Sequence, residues 1–478
     1  MRRSNARRIC LKAAVILIFV PLLILGPVYG EAGIGADADI FEGFEDPVRA
    51  PSDSAVGDDR KKSGAPFEIP GVRGYVGLSG SYNFFSHTPQ NVDTDWSGLS
   101  SLKTTLWLEY STSVFERWRL RVNGHGFYDG AYRINGRDNY TDDVLDEYEA
   151  EAELGEAYLR GAVLDNVDIK VGRQILVWGK ADLIRVTDVL NPLDWREPGI
   201  TSIGDLRLPV GMARMDYYRQ NWRLTGVYIP EIRFTKRPVF GHDFYTSPQP
   251  LPPEDKPSSG TRNAEYGFSL ENKINGWELA FYWADIYRNI YRDVPHIEIK
   301  AIENGRPVMG SRHNRIKFYG VALAKVVPDW SFKVEAAYND AFEFANSEDE
   351  FARTDLLGGV EYYGFTSTNI LLEAANRYIH DFEDILEQAP DYVQKNIFQW
   401  NFRIERLFMN DRLGLSLLTS TYALDGSDGA FQRIKAEYEF RDNIILAGGV
   451  AFYQSGDLIW FDEIGRNDRA FMDFRYWF

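Results

Sequence analysis

From Gly71 onward, apolar and polar residues alternate with a period of two. A strand sends successive side chains to opposite faces, so this rhythm specifies strands with one greasy and one polar side; a helix would repeat about every 3.6 residues. In 99–111, Leu102, Thr104, Leu106, Leu108 and Tyr110 oppose Lys103, Thr105, Trp107 and Glu109. In 117–128, Trp118, Leu120 and Val122 oppose Arg119, Arg121, Asn123 and His125. Later, Phe398, Trp400, Phe402 and Ile404 oppose Gln399, Asn401, Arg403 and Glu405, and Ile434, Ala436, Tyr438 and Phe440 oppose Arg433, Lys435, Glu437 and Glu439. A row of charges along one strand face is foreign to a dry core and natural against enclosed water.

Such segments recur at 71–85, 99–111, 117–128, 150–162, 166–178, 205–218, 220–230, 262–273, 276–288, 313–327, 329–342, 354–364, 367–378, 396–407, 411–424, 430–441, 443–455 and 467–478. Long connections (86–98, 129–149, 179–204, 231–261, 289–312, 343–353, 379–395) alternate with short ones such as Arg219–Gln220 and Arg441–Asn443. Short turns on one side and long loops on the other are the signature of an outer-membrane barrel. The chain is therefore expected to be all-β, a transmembrane antiparallel up-and-down β-barrel of about 18 strands, or 16 or 14 if weak pairs merge. Both ends of the barrel segment would face the periplasm.

The N-terminus adds a route to that membrane. Arg2, Arg3, Arg7 and Arg8 precede an apolar run, Leu11 to Tyr29, broken by Pro21 and Pro27, and small residues follow; this predicts a secretory signal peptide over 1–30. Residues 31–70 are acidic and irregular and predict a flexible periplasmic leader, with a lumen plug as the alternative. The barrel then spans 71–478. The single cysteine, Cys10, lies in the signal, so the exported chain would have no disulfide and no cysteine metal site. A formal net charge of −17 argues against a nucleic-acid partner.

The terminal strand carries Ala470, Met472, Phe474, Tyr476 and Phe478 on one face and Phe471, Asp473, Arg475 and Trp477 on the other. It resembles the last strand of bacterial outer-membrane proteins, and the resemblance implies that Tyr476 and Phe478 form the assembly signal. The segment 172–211 runs Gly172-Arg173-Gln174 to Trp178-Gly179, then Asn191-Pro192-Leu193-Asp194, then Leu208-Pro209-Val210-Gly211. These motifs resemble a broad group of outer-membrane barrels that includes a family labelled as a domain of unknown function and, more distantly, the alginate-export type. Arg185-Val186-Thr187-Asp188 lies outside the shared pattern.

Within that segment Leu183, Ile184, Val186, Val189, Leu190 and Leu193 mix with Asp182, Arg185, Asp188, Asp194 and Arg196. Apolar loop residues need burial, which predicts an inward-folded constriction; the alternative is a rim helix capped at Asp182 or Thr187. Pore-lining charges are expected at Arg119, Arg121, Arg173, Arg403, Arg433, Lys435, Asp473 and Arg475, with His125 as a polar wall residue. The carboxylates of 142–156 could hold calcium, but their spacing is nonspecific and a solvated surface loop is the plainer expectation. His87, His242, His296, His313 and His380 form no His-Glu-x-x-His site, and no Gly-x-Ser-x-Gly elbow occurs, so no catalytic residues, metal or cofactor are expected.

The expected function is a porin-like channel in the outer membrane of a Gram-negative cell, passing small hydrophilic or charged solutes. The alternatives are export of an anionic polymer, transport of apolar ligands, and an outer-membrane hydrolase, which lacks a catalytic set. Expected partners are outer-membrane lipid and lipopolysaccharide, the barrel-assembly machinery and a small-molecule solute; self-association into a homo-oligomer is left open.

Overall fold

The computed structural model describes residues 70–85, 94–201, 203–247, 249–289, 296–303 and 306–478. The signal peptide expected over 1–30, nearly all of the leader expected over 31–70, and His87 lie outside the described residues. The strands are β1 (Val72–Asn83), β2 (Gly98–Phe115), β3 (Trp118–Asp129), β4 (Ala150–Leu164), β5 (Val167–Gln174), β6 (Val210–Arg219), β7 (Trp222–Ile229), β8 (Glu254–Asp255), β9 (Glu265–Ile274), β10 (Trp277–Tyr287) and β11 (His296–Glu303). They continue as β12 (Arg306–Arg312), β13 (Arg315–Val327), β14 (Trp330–Phe342), β15 (Phe351–Tyr362), β16 (Thr368–Ile379), β17 (Asn396–Phe408), β18 (Leu413–Tyr422), β19 (Gly429–Arg441), β20 (Ile444–Gln454) and β21 (Arg469–Trp477).

Among the described residues, 18 strands form one antiparallel sheet that closes on itself. β1 pairs with β2 on one side and β21 on the other, so Val76 lies opposite both Leu106 and Tyr476. Closure removes the exposed sheet edge that would otherwise pair with another chain. The count matches the expected 18, and the 16- and 14-strand alternatives fall away. The terminal residue joins the seam: Phe478 N–H donates to the Gly74 carbonyl at 2.8 Å and its carbonyl accepts from Gly74 N–H at 3.0 Å.

Short turns gather at one rim. Asn275-Gly276, with φ of 51° and 72°, links β9 to β10 in two residues; positive φ at both positions is what a type I′ hairpin turn requires. The loop expected over 289–312 instead contains the hairpin β11–β12, and β8 adds to it as a third strand outside the barrel.

The wall obeys the period-two rule. On β14, Trp330, Phe332, Val334 and Tyr338 are exposed outward, while Ser331, Lys333, Glu335 and Asn339 are buried inward. The inner face departs from expectation in one sector. On β10 and β13 it is largely apolar or small, with Ala280, Tyr282, Ala284, Ile286, Ile316, Phe318 and Ala322 in one buried cluster, which Ala337, Leu357, Leu371 and Ala375 extend between the charged inward residues of β14, β15 and β16. Leu176, Trp178, Leu183, Ile184, Val186 and Leu190 of the 175–209 connection belong to the same cluster. A loop that folds in needs a dry surface, and this sector supplies it.

Candidate functional site

The segment 175–209 leaves the wall because Asn191 takes over the ladder. Its Oδ1 accepts from Leu176 N–H at 2.8 Å, and its Nδ2 donates to the carbonyls of Leu208 at 3.0 Å and Gln174 at 3.3 Å. The strands expected to reach 178 and to begin at 205 therefore stop at Gln174 and start at Val210. A single side-chain amide supplies the backbone partners that neighbouring strands would otherwise exchange.

Inside the barrel the loop is held by two carboxylates of the opposite wall. Glu335 on β14 accepts from Lys180 N–H at 2.5 Å, Ala181 N–H at 2.8 Å, Thr187 N–H at 3.0 Å and Thr187 Oγ1 at 2.8 Å. Glu373 on β16 accepts from the N–H groups of Asp182 (2.8 Å), Leu183 (2.9 Å) and Ile184 (2.9 Å). Lys333 contributes an ion pair to Asp182 and another, at 3.2 Å, to Glu361. The Trp178-Gly179 pair makes this approach feasible. Trp178 stacks on Tyr282 with centroids 5.0 Å apart. Gly179 has φ +93°, and a Cβ there would sit 2.6 Å from Glu335 Oε1 and 2.5 Å from Thr187 Oγ1. The rim-helix alternative does not hold: 175–201 contains no helix. Thr187 does not cap one, because it binds Glu335.

A second cluster ties the loop to the neighbouring long connection, 230–264. Arg196 pairs with Asp194 at 2.5 Å and Glu151 at 2.8 Å. Lys236 reaches Glu151 at 2.9 Å and Glu153 at 2.7 Å, and Arg233 pairs with Glu153. Arg173 meets Glu231 at 2.7 Å. This corrects the surface-loop expectation for 142–156. Glu151 and Glu153 belong to β4 and bind cations in the lumen. Asp142–Tyr148 is a helix, N-capped by Thr141, with Val144 and Tyr148 buried.

The other anticipated wall residues are dispersed. Arg121 pairs with Glu109 at 2.8 Å and His125 lies 3.7 Å from Glu151. Arg119 is exposed. Arg403 with Glu405 (3.5 Å), Lys435 with Glu437 (2.9 Å) and Arg475 with Asp473 (2.7 Å) pair within single strands, two residues apart. Arg433 donates to the Ile200 carbonyl at 2.8 Å. On the inward loop, Arg185 and Arg207 both reach Asp188, each at 2.9 Å. Lys333, Glu335 and Glu373 escaped sequence reasoning. A signal was available in the charges at alternate positions among Trp330, Phe332 and Val334.

The 230–264 connection carries a titratable packing element. His242 stacks on Tyr148 with centroids 3.9 Å apart and meets Trp96 edge-on at 4.8 Å. Burial pushes its pKa down to about 4; Asp243 and Glu197 oppose that drop, and Arg469 and Lys103 add to it. Between its ordinary value of 6.5 and about 4, the unpacked loop binds a proton that the packed loop refuses. Its stability contribution is therefore complete above about pH 6.5 and declines as pH falls through that window, by roughly 3 kcal/mol at most. Limited proteolysis of 230–264 should accelerate on acidification from about pH 7.5 to about pH 4.5. His242→Phe, which keeps a stacked ring, should flatten that dependence. An equally steep profile in His242→Phe would assign it to another group.

Among solved structures, the chain is similar to OccAB2 of Acinetobacter baumannii (9% identity, covering 85% of this chain and 97% of that chain, TM-score 0.49). It is similar to OccK9 (OpdG) of Pseudomonas aeruginosa (11% identity, 85% and 98% covered, TM-score 0.49). It is also similar to the loop-deleted OmpT, an outer membrane protein of Vibrio cholerae (8% identity, 85% and 99% covered, TM-score 0.40). No curated protein matches it. The family model described as a protein of unknown function (DUF1302) matches residues 79–454, and the chain belongs to that family.

Proposed function

We propose that this chain is an outer-membrane channel for small hydrophilic or charged solutes, narrowed by the inward loop 175–209. The observation that carries the reading is the pinning of that loop across the lumen by Glu335 and Glu373. A loop held by seven bonds to two wall carboxylates is a fixed constriction, and its outer residues Arg185, Asp188, Asp194 and Arg196 set the charge at the narrow point. The outer-membrane location is supported by the closed sheet and by its exposed aromatic and aliphatic outer face, such as Trp277, Phe281 and Trp283 on β10. An exported chain with a signal peptide at 1–30 and a periplasmic leader at 31–70 fits that location, as do lipopolysaccharide and the assembly machinery as partners.

Liposome swelling tests the reading. Vesicles carrying the refolded chain should swell in isotonic solutions of small sugars, amino acids or organic acids, at rates that fall with solute size. Swelling no faster than in protein-free vesicles for every solute would sink the channel reading. A second reading, passage of ligands with an apolar body, is favoured by the composition of a cavity beside the loop.

A further inference from the structure

We propose that Tyr75, Trp107 and Trp477 form a stacking platform on the lumen wall for a neutral pyranose sugar. The inference rests on the channel reading and narrows its solute. The three rings occupy directly opposed positions on neighbouring strands: Tyr75 on β1 faces Trp107 on β2 and Trp477 on β21. They belong to the inward set, since Val76, Leu106 and Leu108, of the opposite parity, are exposed on the outer face. This sector lies across the barrel from β10 and β13, where the inward loop packs. Rings on this charged part of the wall are not accounted for by lipid or by the loop's apolar cluster.

The platform is flat. Gly77 shares the inward parity, and a Cβ there would meet the Tyr75 ring at 3.3 Å, so that ring lies along the wall across Gly77. Trp107 runs nearly parallel to Tyr75, with 13° between the planes and centroids 5.8 Å apart. Trp477 leans on both, its centroid 4.8 Å from that of Tyr75 and 5.8 Å from that of Trp107. All three are half-buried, so the wall holds each ring while part of it stays open.

The charges around the rings are matched in pairs. Arg475 binds Asp473 at 2.7 Å, and its guanidinium carbon lies 5.6 Å from the Tyr75 centroid. Arg73 and Arg121 converge on Glu109, at 2.7 and 2.8 Å. Arg73 stands two positions before Tyr75, and Glu109 two positions after Trp107, each on the same strand face as its ring.

This balance selects by exclusion. An anion would meet Asp473 and Glu109 beside the rings, and a cation would meet Arg73, Arg121 and Arg475. A wholly apolar body would strip water from the ion pairs and replace none of it. A pyranose carries no charge and has two kinds of surface. Its axial C–H groups make an apolar face that fits an aromatic ring, whose π cloud is negative. Its equatorial hydroxyls both donate and accept, so one rim of the sugar serves a guanidinium and a carboxylate together.

The test uses the full chain refolded in a sugar-free detergent, with saturation-transfer NMR titrations of methyl β-glucoside, of the acyclic polyol sorbitol and of the anion gluconate. The glucoside should bind at least about tenfold more tightly than either, with saturation concentrated on the axial C–H protons of one ring face. Trp107→Ala and Tyr75→Ala should each weaken it about tenfold, whereas Trp107→Phe, which keeps a ring, should lose about threefold at most. Trp477 is left in place because it adjoins the terminal residue of the seam. If one alanine variant fails the heat-modifiability check for a folded barrel, the other still decides. Sorbitol or gluconate binding as tightly as the glucoside, saturation spread evenly over the sugar, no glucoside binding, or folded alanine variants with unaltered affinity would each overturn the site. Planar-bilayer conductance in potassium chloride separates the two readings. An open channel without glucoside binding removes the site alone, and glucoside binding without conductance supports the site while removing the channel.

Discussion

Deleting 181–195 is expected to raise single-channel conductance roughly threefold or more, since flow through a pore is set by its narrowest cross-section. The deleted segment contains the N–H groups that Glu373 holds and the apolar residues Leu183, Ile184, Val186 and Leu190 that seal it against the wall. Replacing Glu335 and Glu373 together with alanine should give a smaller and noisier change. The seven bonds to these carboxylates contribute on the order of 1–3 kcal/mol each. The buried loop side chains contribute about 1.5–3 kcal/mol each and are left in place. The two sums are comparable, so the double variant should flicker between docked and undocked loops while the deletion stays open. Conductance and noise unchanged in both would mean that the loop does not limit flow.

Arg469→Ala should be the most damaging single substitution for the second long loop, at about 3–5 kcal/mol, the usual loss when a buried ion pair is broken on one side. Arg469 on β21 donates to Asp243 Oδ2 at 2.6 Å, and the two side chains are only 3% and 1% exposed. Its guanidinium also covers the Phe244 ring at 4.4 Å. Asn83 Nδ2 and Asn467 Nδ2 bind the Asp243 carboxylate and carbonyl, at 3.2 and 2.7 Å, so one aspartate clamps the 230–264 connection to the barrel seam. Without the arginine, that carboxylate stays buried and uncompensated. Thermal unfolding of the folded band in detergent should drop in Arg469→Ala and recover in part when Asp243→Asn is added, because the stranded charge is then gone. A double variant no more stable than the single one would show that lost packing on Phe244, rather than charge, dominates.

The barrel was largely legible beforehand. Alternation such as Trp330, Phe332 and Val334 against Ser331, Lys333 and Glu335 needs no partner to be read, because pleat geometry is local. The Asn191 and Trp178-Gly179 motifs were visible as patterns, but their work was not. Asn191 replaces ladder bonds between residues that it does not adjoin, and Gly179 makes way for a carboxylate on another strand. The dry inner face of β10 and β13 has no signal of its own in the sequence, since an inward alanine on β10 looks the same whether it faces water or a loop. Glu151 and Glu153 fall in the expected strand 150–162, but their burial among cations is not legible beforehand, because Arg196, Arg233 and Lys236 lie far along the chain.

The order of residues by itself determined the strand period and the alternation of long and short connections, because each depends on neighbours a few positions apart; closure of the sheet fixed the wall at 18 strands. Only the tertiary structure decided where the long connections go and which charges meet. Glu373 finds the backbone of Asp182 to Ile184 from 189 to 191 positions away. Such pairing follows from closure of the sheet, which brings opposite walls to face one another across the lumen.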